Sequence, residues 1–496
     1  MVLFRLDGMD YATWITVLAF AFDFVVRVGL CLRVIMRRIA VGTSLAWLTI
    51  IIIFPFGGGV LYVLLGEKHL GKPRARRAAQ LHPEYLVWLK SLCQRANVVW
   101  TKEDDPAQAL SRLAQTSVDI PALQGNKLEL IGHWNDALQS IIKDIDGAQS
   151  TCHLEFYIWN PGGMADEVAA ALVRARKRGV ICRVLLDAVG SKDFFRSPLV
   201  HQLREAGVEV QSALPSGLIR MWFVRLDLRL HRKIVIIDGE VAYTGSLNLV
   251  DPRYFKQDSG VGQWVDAMVR VEGPVVEALA ITFVGDWELE TGEGPEQLQA
   301  HVESRALHEV EERGTATVQV IPSGPEFRPD AIYKILITTI YTAQRELVLT
   351  SPYFVPDEAL LTALTSAANR GVAVTLIVPR HVDSHLVRFA SQAHQGDLLA
   401  AGVRIFMFDG GLLHTKSVTV DGRISLFGSL NLDPRSIWLN FEITLGIFNP
   451  TFTQELRALQ QSYLDDAEEL TLAVWQNRSF LMRLTENVAR LVGPLL

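Results

Sequence analysis

The sequence predicts an α/β protein in which two repeated α/β domains share one active site, preceded by two N-terminal transmembrane helices. Three observations carry this expectation. A set of reactive residues occurs twice, as His231, Lys233, Asp238 and Gly245-Ser246-Leu247-Asn248, then as His414, Lys416, Asp421 and Gly428-Ser429-Leu430-Asn431, with identical spacings from His to Lys, Asp, Ser and Asn. Helix and strand patterns alternate in the same order ahead of each copy. Two apolar stretches, 11–35 and 39–65, open the chain, and each is long enough for a helix of ~20 residues across the hydrocarbon.

The order of elements follows from residue patterns. Residues 1–66 form the membrane anchor. In the second apolar stretch, Ile50-Ile51-Ile52-Ile53 runs into Phe54-Pro55-Phe56 and three glycines, which should kink or thin the helix. The first stretch carries Asp23 and Arg27 on one helical face. They read either as an intramembrane ion pair at a helix–helix or subunit contact or as the mark of a shallow, tilted or interfacial segment. No basic region precedes the first stretch and no small-residue cleavage site follows it, which argues against a secretory signal. Arg33, Arg37 and Arg38 lie between the segments, and Lys68, Lys72, Arg74, Arg76 and Arg77 follow the second. The larger cluster favours a cytosolic body, with the N-terminus on the same side if both segments span.

Residues 67–125 read as a membrane-proximal linker with short helices. The first domain, 126–300, orders a helix over 134–145, a strand over 153–159, a helix ending in Arg176-Lys177-Arg178-Gly179 and a buried strand over 180–187. The second domain, 301–496, repeats this with a helix over 331–343, a strand over 347–354, Ala368-Asn369-Arg370-Gly371 and a strand over 372–378. Residues 218–225 mix apolar, aromatic and Arg side chains, which suits a lipid interface slightly better than a buried loop. The C-terminal stretch spaces Phe480, Leu484, Val488 and Leu491 about one turn apart, with Arg478, Arg483 and Arg490 interspersed. That face either lies on anionic lipid or packs on the catalytic body.

Net charge is −6, so nothing in the bulk composition points to a nucleic-acid partner. The four cysteines show neither metal-ligand spacing nor a disulfide framework and read as reduced thiols.

The candidate catalytic residues are His231, Lys233, Asp238, His414, Lys416 and Asp421. On a strand His231 and Lys233 face one way and Asp238 the other, with the same parity in the second copy. His and Lys therefore act on substrate together, whereas each Asp braces the strand or the turn that Asp-Gly signals. Ser246, Asn248, Ser429 and Asn431 are candidate hydrogen-bond donors to phosphoryl oxygens. Asp266 and Glu442, just downstream of the motifs, are candidates to orient a His through its second nitrogen. One neutral His can attack phosphorus while the other, protonated, serves the departing alcohol. The two lysines offset the phosphoryl charge, so this chemistry calls for no metal and no cofactor.

His-x-Lys-x4-Asp twice, each followed by Gly-Ser-x-Asn, resembles the phospholipase D superfamily. Nearly the whole chain is similar to the bacterial cardiolipin synthases of that superfamily, with supporting segments at 157–166, 251–258, 410–417, 431–436 and 440–442. The resemblance implies two phospholipase D-like domains with one site at their interface and a phosphatidyl-enzyme intermediate. It implies transfer of a phosphatidyl group from one phosphatidylglycerol to another, giving cardiolipin and glycerol, with His231 as nucleophile and His414 as acid. The sequence itself is symmetric on that assignment. The implied setting is the bacterial inner membrane, multi-pass, with a cytoplasmic catalytic domain. Phosphatidylglycerol and other anionic phospholipids are the implied partners, and homo-oligomerisation stays open. The alternative is a membrane-bound phospholipase D that hydrolyses or exchanges head groups. A nuclease is disfavoured by the anchor and the absence of a basic body. A non-catalytic scaffold is disfavoured because neither motif lacks its His or Lys.

Overall fold

The computed structural model describes residues 11–37, 41–54, 56–66, 74, 77, 87–214, 227–293, 307–325 and 330–492. Arg38, Lys68, Lys72 and Arg76, the segment 218–225, the expected boundary at 300–301 and the side chains of Arg490 and Leu491 lie outside the described residues. The chain forms two bodies, residues 1–71 grouped with 216–227, and the rest of the chain from 72 to 494.

In the first body, Tyr11–Met36 is the one helix among the described residues long and apolar enough to cross a membrane. The second apolar stretch departs from the expected single helix. It folds as Val41–Ile53, Gly57–Leu61 and a π-helical turn at Tyr62–Gly66. Thirteen residues rise only about 20 Å, short of a hydrocarbon core of about 30 Å. Proline at position 55 cannot donate the helical N–H bond, and Phe56 at φ 58° turns the backbone out of the helix. A Cβ on Gly58 would sit 2.3 Å from the Ile50 carbonyl oxygen, so only glycine fits the re-entering turn. Asp23 and Arg27 supply what the break leaves unsatisfied. The Phe56 N–H donates to Asp23 Oδ1 (2.8 Å), Arg27 donates to the Ile52 carbonyl (3.1 Å), and the two side chains pair with each other. The pair therefore links the first helix to the broken second stretch.

The second body is built on a continuous fifteen-stranded mixed sheet. In the first half its strands are β1 (Leu123–Ile131), β2 (Thr151–Phe156), β3 (Ile181–Asp187), β4 (Glu209–Ala213), β5 (Ile234–Ile237), β6 (Val241–Gly245) and β8 (Met268–Glu272). In the second half they are β9 (Ala316–Ser323), β10 (Glu346–Thr350), β11 (Ala373–Pro379), β12 (Arg404–Phe408), β14 (Ser417–Val420), β15 (Ile424–Gly428), β16 (Glu442–Phe448) and β17 (Ala467–Leu470). The order is β4-β3-β2-β5-β6-β8-β1, then β9-β16-β15-β14-β10-β11-β12-β17. Apart from β17 the second run is the first reversed, and β1 pairs antiparallel with β9 at the seam. A local twofold relation between the halves follows. A separate small sheet joins β7 (Trp264–Val265) to β13 (Leu412–Leu413), one strand from each half.

Each half has its own apolar core, made by one face of its sheet and the helices over it. The helix Asp105–Val118, which falls in the expected linker, belongs to the second core. Its Ala107, Leu110 and Ala114 recur on one face and pack with Ile335, Leu336 and Ile340, and Gln319 of β9 donates to the Ser111 and Ile120 carbonyls. A tether would not bury this stripe. The C-terminal helix Phe480–Val492 packs on His385–Ala400 through Ala489, while Phe480, Leu481, Leu484 and Val488 face outward.

Leu110→Ala should therefore destabilise the body by about 2–4 kcal/mol, as a buried core truncation does. Thermal unfolding followed by labelling of the buried thiols Cys152 and Cys182 reads this directly; a change within ~0.5 kcal/mol, typical of exposed sites, would return the helix to the linker.

Candidate active site

Each histidine sits just ahead of a strand, where its half is laced to the other. The His231 N–H donates to the Phe441 carbonyl (2.9 Å) and the Phe441 N–H to the Arg229 carbonyl (2.9 Å). On the other side, the His414 N–H donates to the Val265 carbonyl (2.8 Å), next to the β7–β13 pairing. Phe441 and Val265 immediately precede Glu442 and Asp266. The lacing thus sets each carboxylate beside the opposite half's imidazole, with Glu442 Oε2 2.8 Å from His231 Nδ1 and Asp266 Oδ1 2.6 Å from His414 Nδ1. With Nδ1 held as the donor, Nε2 of each ring is the nitrogen left for substrate. Tyr157 lies against His231 (5.0 Å between ring centroids) and Trp264 against His414 (4.4 Å).

The lysines follow the expected parity. Lys233 Nζ donates to the His231 carbonyl (2.7 Å) and Lys416 Nζ to the His414 carbonyl (2.5 Å), which leaves further N–H donors on each ammonium. His231, Lys233, Asp266, His414, Lys416 and Glu442 are all buried. The halves also act on each other electrostatically. Lys416 disfavours the charged form of His231, and Lys233 does the same to His414 and to Lys416. The two half-sites therefore form one cluster.

Burial decides the protonation balance. It pulls both imidazoles from their ordinary value down to about 4, against the opposing pull of Glu442 and Asp266. Burial likewise lowers Lys233 to about 8 and Lys416 well below the usual lysine range. Burial alone would push the two carboxylates up. The imidazoles and buried lysines outweigh it and hold Glu442 and Asp266 below the carboxylate range.

Ser246 and Ser429 turn out differently from expectation. Their hydroxyls donate to the carboxylates, Ser246 to Asp266 Oδ1 (2.6 Å) and Ser429 to Glu442 Oε2 (2.5 Å), and each accepts a backbone N–H, from Ala267 and Ile443. Each serine thus ties an orienting carboxylate to the neighbouring backbone. Asn248 accepts the Ile158 N–H at Oδ1 (3.1 Å), and its buried Nδ2 has no protein partner among the described residues, so it keeps a donor for substrate. Asn431 Oδ1 has no hydrogen-bond partner among the described residues.

Asp238 and Asp421 do not join the histidines. Each occupies a hairpin turn at positive φ, followed by a glycine also at positive φ. The Asp238 carboxylate accepts the N–H groups of Gln149, Ser150 and Thr151 (2.8, 2.6 and 2.9 Å), and Asp421 accepts those of Gln344, Arg345 and Glu346 (2.9, 2.8 and 2.9 Å). These residues lead into β2 and β10, which flank the motif strands. Each carboxylate thus takes the bracing position, at the start of the strand beside its motif. Sequence reasoning did not single out Ser436 and Asn440, which donate to Glu442 Oε1 (2.6 and 3.2 Å). Asp266 Oδ2 has no such partners among the described residues, so the halves are not chemically identical.

Two outcomes follow from this geometry. Asp238→Ala and Asp421→Ala should each cost about 2–3 kcal/mol through loss of charged acceptors for backbone donors, measured as a lowered unfolding midpoint. Asn variants, which tolerate the left-handed turn, should recover part of it. Imidazoles with pKa values held near 4 are neutral at pH 6, and an arriving phosphodiester anion favours the charged form and raises them. Binding of a non-hydrolysable phosphonate analogue at pH 6 should then be accompanied by proton uptake in a weakly buffered solution; binding without uptake would contradict the neutral resting pair.

The family model described as "Cardiolipin synthase, PLD-like domain" matches residues 141–279 and 336–463, one stretch in each half. A protein named cardiolipin synthase A from Erwinia tasmaniensis is 47% identical over 468 residues, covering 94% of this chain and 96% of its own length. One of the same name from Yersinia pseudotuberculosis is 46% identical over 484 residues, 98% of each chain. Among solved structures, the phosphatidylserine synthase of Haemophilus influenzae superposes with a TM-score of 0.57 at 16% identity, over 78% of this chain and all of that one, which shows a common fold. With a half-site in each of two matched stretches, and relatives alike from end to end, the chain belongs to the cardiolipin synthase family of PLD-like domain proteins.

Proposed function

We propose that the protein is a cardiolipin synthase, which transfers a phosphatidyl group between two phosphatidylglycerol molecules through a phosphohistidine. The near full-length likeness to proteins named cardiolipin synthase A selects this reaction. The paired imidazoles, each anchored by a carboxylate from the other half, suit two-step displacement. Nε2 of His231 attacks phosphorus, and the bond to the glycerol head group breaks. His414, as imidazolium, gives its proton to the leaving alkoxide, and glycerol departs. A hydroxyl of the second phosphatidylglycerol then gives its proton to His414 and attacks phosphorus. The P–N bond breaks and cardiolipin is formed. Lys233 and Lys416, with the Asn248 amide, balance the phosphoryl oxygens. Glu442 and Asp266 hold the rings in register and stabilise the imidazolium forms.

Residues 1–66 anchor this body to the bacterial inner membrane, in this reading by two passes with the catalytic part cytoplasmic. The helix Tyr11–Met36 supplies one pass. The broken segment, tied to it by Asp23 and Arg27, supplies the other. The outward apolar face of Phe480–Val492 suits contact with lipid.

Purified enzyme given phosphatidylglycerol alone should yield cardiolipin and glycerol in equal amounts. His231→Ala and His414→Ala should each lower turnover by at least about 10³-fold, as loss of a nucleophile or proton carrier does. Phosphatidic acid as the main product would instead identify a hydrolase, and substantial cardiolipin formation by either variant would remove its histidine from the chemistry.

A further inference from the structure

The reaction brings two phosphodiesters into the site, and the His–Lys cluster handles only the one under attack. The other, on the acceptor lipid, is a spectator that stands one glycerol away in the product. Two arginines, one from each half, come close to Tyr157, whose ring lies against His231. The Phe441 N–H donates to the Arg229 carbonyl (2.9 Å) and the Asn440 N–H to the Arg435 carbonyl (3.0 Å). Both are therefore pinned to adjacent amides just ahead of Glu442, the carboxylate on His231. Arg229 comes from the first half and Arg435 from the short helix Pro434–Trp438 of the second, N-capped by Asp433. Between them stands Tyr157. Its ring rests on His231, the Lys233 ammonium lies 5.6 Å from the ring centroid, and its hydroxyl accepts from Arg229 and feels the charge of Arg435.

We propose that Arg229, Arg435 and the Tyr157 hydroxyl form a second anion subsite, which takes the spectator phosphodiester of the acceptor phosphatidylglycerol beside the phosphorus bound at the histidines. The assignment presupposes the transfer reaction proposed above. Arginine suits a phosphodiester because its planar fork can bind two oxygens at once. Asp187 faces Arg229 and Asp433 faces Arg435, and both carboxylates also accept backbone N–H groups. Arg229 also donates to the Leu228 carbonyl (2.6 Å), and each guanidinium carries its five N–H donors in one planar fork.

The subsite is built once. In the twofold-related position Leu412 stands for Arg229 and Pro352 for Tyr157. The counterpart of Arg435 is Arg253, which is turned onto Asp251 (2.6 Å) and over the exposed Tyr254. One spectator site beside a symmetric reacting site fits a reaction whose two lipids have unlike roles. Binding the acceptor by a remote group orients its hydroxyl for attack and gives it an advantage over water.

Two rates measured on the full-length enzyme in phosphatidylglycerol vesicles separate this role from the chemistry. One is cardiolipin formation. The other is exchange of radiolabelled glycerol into phosphatidylglycerol, which passes through the same phosphohistidine but needs no second phosphate. Arg435→Gln and Arg229→Gln should lower the ratio of cardiolipin formation to exchange by about tenfold or more, the scale of one charge-assisted hydrogen bond, with partial recovery in Arg435→Lys. Arg253→Gln should leave the ratio as it is. Parallel loss of both rates, or no change in the ratio, would overturn the subsite while leaving the transfer reaction intact. A wild-type enzyme that exchanges glycerol without forming cardiolipin would overturn the transfer reading itself.

Discussion

A buried imidazole that must carry a proton through a reaction needs a fixed anionic neighbour, and in this protein that neighbour always comes from the opposite half. Glu442 stands on His231 and Asp266 on His414, and each approach is enforced by main-chain bonds to the residue just before the carboxylate. Neither half contains a complete histidine site. The seam between β1 and β9, the small sheet of β7 and β13, and the Arg229–Phe441 lacing all serve to keep this exchange in register. A shift of one residue would turn the carboxylates to the wrong face.

Within that shared frame the halves solve the problem of burying charge differently. Behind His231 the first half keeps an ionic layer. Arg232 pairs with Asp286 and donates to the Glu442 carbonyl, and Glu155 lies fully buried without a hydrogen-bond partner among the described residues. Burial pushes the Glu155 carboxyl up to about 7, with Arg232, Arg74 and Lys233 opposing. The second half has Thr415 where the first has Arg232, bonded to the Tyr463 hydroxyl (3.0 Å), and Thr350 where the first has Glu155. The reacting groups are duplicated, but their surroundings are not. This gives two identical histidines a physical basis for different duties, and Glu155 and Asp187 favour the charged form of Lys233.

Much of this was legible in the chain. The doubled spacing of His, Lys, Asp and Asn announced the two halves, and strand parity separated His231 and Lys233 from Asp238. What parity could not show was the partner. Asp266 and Glu442 follow their own motifs in sequence, and only the folded sheet reveals that they cross over. The serine–carboxylate bonds were hidden for a related reason, since a Gly-Ser pair at a strand end looks equally ready for substrate or for a neighbouring carboxylate. The helix Asp105–Val118 was lost in a polar, proline-bearing stretch because its apolar stripe is made largely of alanine. In the second apolar stretch the sequence placed the disturbance at 55–59 as a kink, and the structure makes it a full break between helices. Phe56 and the glycines end one helix and begin another, and the charged pair on Tyr11–Met36 satisfies the break.

The twofold arrangement of the sheet also bears on why both halves lie in one polypeptide. A free half with this architecture would have to find a second copy before any imidazole gained its carboxylate, and the assembled fraction would depend on how crowded the membrane was. Covalent linkage replaces that encounter with a high local concentration. It also releases the two copies from having to be the same. An obligate pair of identical chains could not set Arg229 and Tyr157 on one side and Leu412 and Pro352 on the other. Fusion is what allows the cleft to acquire a handedness.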